Sequence, residues 1–185
     1  GDECPKVRWE KCPRCQARIR QLGLRDKDGY TAEHYLQGYV TDRIGKYLAE
    51  RGRRIIGWDE ILEGQAPSDA IVMSWRGSAG GIKAAKLGHD VIMTPNSHFY
   101  FDYYQSPDAD AEPFGIGGCV TIDKVYSFDP MADLTPGQQA HILGVQANLW
   151  TEYIASDDHL EYMLLPRLAA LSEVQWCDRG SREWT

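Results

Sequence analysis

From Thr31 onward, apolar side chains fall at Leu36, Val40, Ile44, Tyr47 and Leu48 until Gly52 interrupts them. That three- and four-residue spacing predicts one apolar helical face, with Thr31 as its N-cap. A shorter helix is predicted upstream over Glu10 to Leu22, stopped by Gly23. The pattern then changes. Arg54-Ile55-Ile56-Gly57-Trp58, Ala70 to Trp75, Asp90 to Met93 and Ile142 to Ala147 are short, nearly continuous apolar runs. Such runs predict strands buried on both faces rather than half-buried alternating ones. Between the second and third runs, Ala79 to Leu87 reads as a helix ended by Gly88. Thr94 to about Pro136, rich in Tyr, Pro, Gly and Asp, is predicted to be irregular. A last helix carries Leu160, Met163, Leu164, Leu168, Leu171 and Val174 on one face, and Pro166 either kinks it or sits in its first turn.

Strands alternating with helices predict an α/β fold with a parallel sheet, either doubly wound or a (β/α) barrel. The strand ends separate the two. They carry Trp58-Asp59-Glu60, then Trp75-Arg76, then Asn148-Leu149-Trp150-Thr151-Glu152, while His98, Tyr100, Asp102 and Tyr103 follow the third run. Clusters at the C-terminal ends of strands are where a barrel builds its active site. A nucleotide-binding doubly wound sheet needs a glycine-rich phosphate loop. Gly77-Ser78-Ala79-Gly80-Gly81 is the nearest approach and lacks the Lys-Ser/Thr of a P-loop, so it reads as a left-handed turn before a helix.

Composition changes this picture little. The chain has 185 residues, enough for a single domain over 1–185, and a formal net charge of −7 with scattered basic residues, which argues against a nucleic-acid partner. No apolar run is long enough to span a membrane. Six Trp and ten Tyr beside four Phe suit half-wet, half-apolar surfaces such as sugar pockets, or a Tyr- and Trp-rich core. Five cysteines exclude complete internal pairing, and Cys4, Cys12 and Cys15 are open to a disulfide, free thiols or a zinc site. The opening Gly1-Asp2-Glu3-Cys4-Pro5 reads as a strand end running into a loop, so an N-terminal part is expected to be missing.

Two kinds of side chain stand out chemically. Asp2 and Glu3 are adjacent carboxylates, which reach one site only where a strand gives way to a turn; there, different surroundings can hold one protonated and the other ionised. Trp58, Trp75 and Trp150 occupy equivalent strand ends. They either cap the core or form walls for apolar sugar faces, each with an indole N–H to offer. Asp102 and Glu152 add acceptors suited to sugar hydroxyls, or to salt bridges and helix caps.

Taken together and in order, Gly1-Asp2-Glu3, Gly57-Trp58-Asp59-Glu60-Ile61, Ser74-Trp75-Arg76-Gly77, His98-Phe99-Tyr100-Phe101-Asp102, Gln146 to Glu152 and Tyr162 to Glu173 resemble family 20 glycoside hydrolases over essentially the whole chain. The resemblance implies the C-terminal half of a (β/α)8 TIM barrel, from the end of strand 4 through helix 8. It implies a retaining exo-β-N-acetylhexosaminidase, in which the substrate's own acetamido oxygen attacks the anomeric carbon and forms an oxazolinium ion. Glu3 is then the general acid, Asp2 the partner of the acetamido N–H, and Tyr100 a donor to the acetamido oxygen. Trp58, Trp75 and Trp150 enclose the sugar, and Asp102 and Glu152 hold its hydroxyls.

No cofactor and no metal are implied. The expected partner is a glycan ending in N-acetylglucosamine or N-acetylgalactosamine, in a secreted or periplasmic setting inferred from that substrate. The family's strand-one Arg has no counterpart here. The isolated chain is therefore expected to be inactive, and either to form a homo-oligomer through open sheet edges or to need the missing N-terminal half of the same protein. The competing reading is a non-catalytic carbohydrate-binding protein on a barrel scaffold.

Overall fold

The computed structural model describes residues 4–184, so Asp2 and Glu3 lie outside the described residues. Two helices, α1 (Lys6–Glu10) and α2 (Pro13–Leu22), replace the single helix predicted over Glu10 to Leu22. The residue before a proline is driven out of helical conformation. Cys12 accordingly adopts an extended φ of −86° and ψ of 114°, which breaks the helix and caps α2.

Helix α3 (Ala32–Ala49) starts at Thr31 as expected, where the Thr31 N–H donates to His34 Nδ1 at 3.1 Å. Its packing bears out only part of the expectation. Leu36 is buried and Leu48 half-buried, but Val40, Ile44 and Tyr47 are exposed, while Glu33, Gln37, Gly38, Thr41 and Gly45 face inward beside Leu36. The middle of the apolar stripe thus points away from the other described residues, and mostly small and polar side chains make the close approach.

The four strands are β1 (Ile56–Trp58), β2 (Ile71–Ser74), β3 (Val91–Met93) and β4 (Ile142–Val145). They pair in parallel in sequential order, with Trp58 opposite Met73, Ser74 opposite Met93 and Met93 opposite Val145. Unreversed order is that of a barrel arc; a doubly wound sheet reverses at its switch point. Helix α4 (Ala79–Lys86) links β2 to β3 after a left-handed Gly77 at φ 82°.

The stretch expected to be irregular contains α5 (Asn96–Phe99) and α6 (Ile122–Ser127), followed by α7 (Pro136–Gln139). Each is too short for periodicity to reveal. The last helix is also divided, into α8 (Asp157–Leu164) and α9 (Arg167–Trp176). Leu165, again the residue before a proline, is extended, and Pro166 ends one helix and caps the next rather than bending a continuous one.

Val72, Val91, Ala84, Phe99, Phe101, Val120 and Val125 form the centre of the core. The middle strands are covered on both faces as predicted, but Ile56 on β1 and Leu143 on β4 are about half exposed, at 50% and 55%. Among the described residues those two strands are the edges of the sheet.

Candidate active site

The C-terminal ends of the strands converge on one aromatic wall. Trp58 closes β1, and its ring lies 6.0 Å from that of Trp150, beyond β4. Trp150 meets Tyr100 edge to face at 6.3 Å, and Tyr100 stacks on Trp75 at 6.2 Å and 24°. Tyr103 adds an edge contact to Tyr100 at 5.6 Å. The predicted indoles and Tyr100 are therefore contiguous. Trp150 remains 42% exposed, whereas Tyr100 is 8% exposed, so the wall runs from solvent into the fold.

Hydrogen bonds between strand ends hold this arrangement. Phe101 N–H donates to the Asn148 carbonyl at 2.7 Å, and Asn148 N–H donates to the Phe99 carbonyl at 2.8 Å. The Asn148 side chain donates to Thr94 Oγ1 at 2.6 Å. These bonds fasten the segment after β3, which carries Tyr100 and Asp102, to the segment after β4, which carries Trp150 and Glu152. Burial pushes the Tyr100 phenol up to about 12, so at neutral pH it is a hydrogen-bond donor. His98 is not part of the wall; it packs against Phe128 at 5.1 Å.

Asp102 is buried, and its Oδ1 has no hydrogen-bond partner among the described residues. Burial raises its pKa, nearby Glu152 adds to the rise, and its own and Trp150's backbone N–H groups oppose it. A buried acceptor left unmatched is costly and uncommon in a native protein. Glu152 is exposed beside it.

Three residues of the site escaped the reading of the sequence. Asp59 and Glu60 do not present acids at the strand end; a tight 3-10 turn over Asp59–Leu62 buries both. Asp59 Oδ2 accepts the backbone N–H of Trp75 at 3.0 Å and of Arg76 at 3.2 Å. Its Oδ1 takes Arg76 Nε at 2.5 Å. Glu60 receives the indole N–H of Trp75 on both carboxylate oxygens at 2.9 Å, so this indole has no donor left for a sugar. Gly80 makes room: a Cβ there would lie 2.7 Å from Asp59 Cβ. The third is Arg167, fully buried, which donates to the carbonyls of Phe101, Tyr103, Val120 and Met163. Its only sequence signal is a cation inside the apolar run Leu164 to Leu171.

Among the described residues no group of three or more His, Cys, Asp or Glu side chains is placed to hold a metal ion. Cys4 donates to Gln37 Oε1 at 3.0 Å. Cys12 and Cys15 are free thiols in contact with each other.

Comparison with known proteins agrees with this geometry. The sequence profile of the glycosyl hydrolase family 20 catalytic domain matches residues 1–179. The chain is 45% identical to the β-hexosaminidase of Porphyromonas gingivalis, covering 100% of this chain and 23% of that protein. It is 31% identical to the β-hexosaminidase of Vibrio furnissii, covering 93% and 28% respectively. Among solved structures, the exo-β-N-acetylglucosaminidase of Vibrio harveyi in complex with N-acetylglucosamine superimposes with a TM-score of 0.83 at 29% identity, over 98% of this chain and 28% of that one. A β-N-acetylhexosaminidase gives a TM-score of 0.82 at 26% identity, over 100% of this chain and 38% of that one. The chain thus spans about a quarter of the length of the curated relatives it matches. Its parallel strands are consecutive units of a TIM barrel, and the chain belongs to glycosyl hydrolase family 20, within the catalytic domain.

Proposed function

We propose that this chain supplies the acid and most of the acetamido pocket of a retaining exo-β-N-acetylhexosaminidase. The observation that carries the reading is the continuous ring set Trp58, Trp150, Tyr100 and Trp75 beside the unpaired Asp102 oxygen. Aromatic faces take the apolar side of a pyranose and the acetamido methyl, while the lone carboxylate takes hydroxyls. N-acetylglucosamine in the Vibrio harveyi relative supports a gluco-configured terminal sugar.

In this scheme the acetamido oxygen attacks the anomeric carbon as Glu3 gives its proton to the departing glycosidic oxygen. Asp2 accepts the acetamido N–H and stabilises the positive charge on the oxazolinium ring. Tyr100, kept protonated by its surroundings, donates to the acetamido oxygen and orients it. Glu3, now a carboxylate, takes a proton from water as that water attacks the same carbon. The ring opens to the acetamide and configuration is retained. The half-exposed Ile56 on β1 and Leu143 on β4, and the exposed Val40, Ile44 and Tyr47 of α3, support the further reading that activity needs more of the barrel than these residues.

The test is hydrolysis of a chromogenic aryl N-acetyl-β-glucosaminide by the full-length protein, wild type against Glu3→Gln. A fall of about a hundredfold or more in kcat is expected. Equal rates would sink the proposal. Tight sugar binding with no turnover by the wild type would point instead to a non-catalytic carbohydrate-binding protein.

A further inference from the structure

The pair Asp59-Glu60 is spent entirely on its neighbour across the sheet. Asp59, 2% exposed, binds the backbone N–H groups of Trp75 and Arg76 and the Arg76 side chain. Glu60, 6% exposed, takes the Trp75 indole N–H symmetrically at 2.9 Å to each oxygen. Arg76 Nε, bonded to Asp59, also stands 3.7 Å from Glu60 Oε1, and Arg76 Nη1 is bonded to Glu63 at 2.6 Å, so one guanidinium flanks both buried acids. Burying a carboxylate is expensive unless it is matched. A neutral acceptor would satisfy an indole N–H at lower cost. What a two-oxygen acceptor adds is direction. With Trp75's backbone held by Asp59 and its ring nitrogen held by Glu60, both side-chain torsions are set, and with them the face offered to Tyr100 at 6.2 Å.

We propose that Glu60 is a positioning residue. By holding the Trp75 indole N–H it fixes the plane of the wall against which the acetamido group must sit for its oxygen to reach the anomeric carbon. The proposal rests on the hexosaminidase reading for its catalytic consequence, but the clamp itself stands on geometry alone. Burial raises the Glu60 pKa, and the indole hydrogen bond opposes that rise, as expected for a carboxylate whose main partner is the indole.

The experiment compares Glu60→Ala, Glu60→Gln and Trp75→Phe in the full-length protein, reading kinetics and the Trp75 indole N–H resonance in indole-¹⁵N-labelled protein. In Glu60→Ala the resonance should move upfield as the hydrogen bond is lost. Misplacement of a wall near the reacting atoms costs roughly ten- to a hundredfold; the loss should appear in kcat, with KM changed by less than about threefold. Glu60→Gln keeps an acceptor oxygen and should restore most of kcat and part of the shift. In the Trp75→Phe background, where no N–H exists, Glu60→Gln should have no further effect on kcat. An unmoved resonance in Glu60→Ala overturns the proposal, as does a kcat within about twofold of wild type. Should Glu60→Ala fail to fold, the Gln and Phe variants decide alone: an equal effect of Glu60→Gln with and without the Trp75 N–H overturns it. A wild type without hydrolase activity sinks the proposed function and the kinetic half of this proposal, while the resonance still decides whether the clamp exists.

Discussion

Replacing Arg167 with Ala should be among the most damaging substitutions in this chain. The guanidinium reaches four carbonyls at 2.5–3.0 Å and lies 4.8 Å from the Phe101 ring centre. Burial pulls its pKa down to about 10, so it is still charged at neutral pH. The acceptors on Phe101 and Val120 belong to residues with no exposure, so water cannot replace the lost donor there. Each orphaned acceptor costs roughly 1–3 kcal/mol, and the cavity left by a fully buried side chain adds to this. Relief of the desolvated charge offsets part, leaving about 3–5 kcal/mol. Arg167→Met refills most of the volume and isolates the polar share, at about 2–4 kcal/mol. Urea unfolding of the protein is the assay. With a slope of about 1–3 kcal/mol/M, Arg167→Ala should lower the midpoint by more than roughly 1 M. A shift below about 0.3 M would mean instead that the carbonyls find other partners at little cost.

Further outcomes follow from the same geometry. Asp102→Asn should weaken sugar binding yet leave the unliganded protein at least as stable at neutral pH, by binding calorimetry and thermal melts. The sign comes from the raised Asp102 pKa: the folded state holds that proton more tightly than the unfolded chain, so the contribution is present at acid pH and lost as pH rises through the folded pKa. A clear drop in Tm for Asp102→Asn at neutral pH would contradict it. Gly80→Ala should destabilise by about 1–3 kcal/mol and disturb the Trp75 resonance, since its methyl would meet Asp59 at 2.7 Å; unchanged melting would contradict this. Cys12 should alkylate faster than Cys4 at neutral pH in a mass-spectrometric time course, because Cys15 and Arg14 backbone N–H groups lower the Cys12 pKa, whereas burial raises that of Cys4. The reverse order would count against the contacts assigned to the Cys12-Pro13-Arg14-Cys15 turn.

Fold class was legible because strand-length apolar runs and strand-end clusters carry their own signal, and all four predicted strands are present. Both helix breaks have one cause: Cys12 and Leu165 precede prolines and are driven out of helical conformation. The α3 stripe misled for a different reason. Periodicity reports that Leu36, Val40 and Ile44 share a face but not what that face meets, and here Leu36 is buried with Gln37, Thr41 and Gly45 while Val40 and Ile44 are exposed. Residue type and spacing singled out the rings and Asp102, and the structure brings those rings into contact at the strand ends. Direction was not legible. Nothing in Trp58-Asp59-Glu60 says that both acids turn away from the pocket, because that depends on a 3-10 turn closing over Ile61 and Leu62 and on space at Gly80. Arg167 was hidden likewise, since its acceptors are backbone carbonyls that sequence does not mark.

In the proposed mechanism the substrate's acetamido oxygen, seated against the Trp75 and Tyr100 wall, is the nucleophile. Its most direct test is kcat/KM of the full-length protein on aryl glucosaminides whose N-acetyl group is replaced by mono-, di- and trifluoroacetyl groups. Each fluorine weakens the acyl oxygen as a nucleophile with little change in shape. A steady fall, more than about tenfold across the series, is expected. A flat series, or hydrolysis of the corresponding glucoside lacking the amide at a comparable rate, would contradict it.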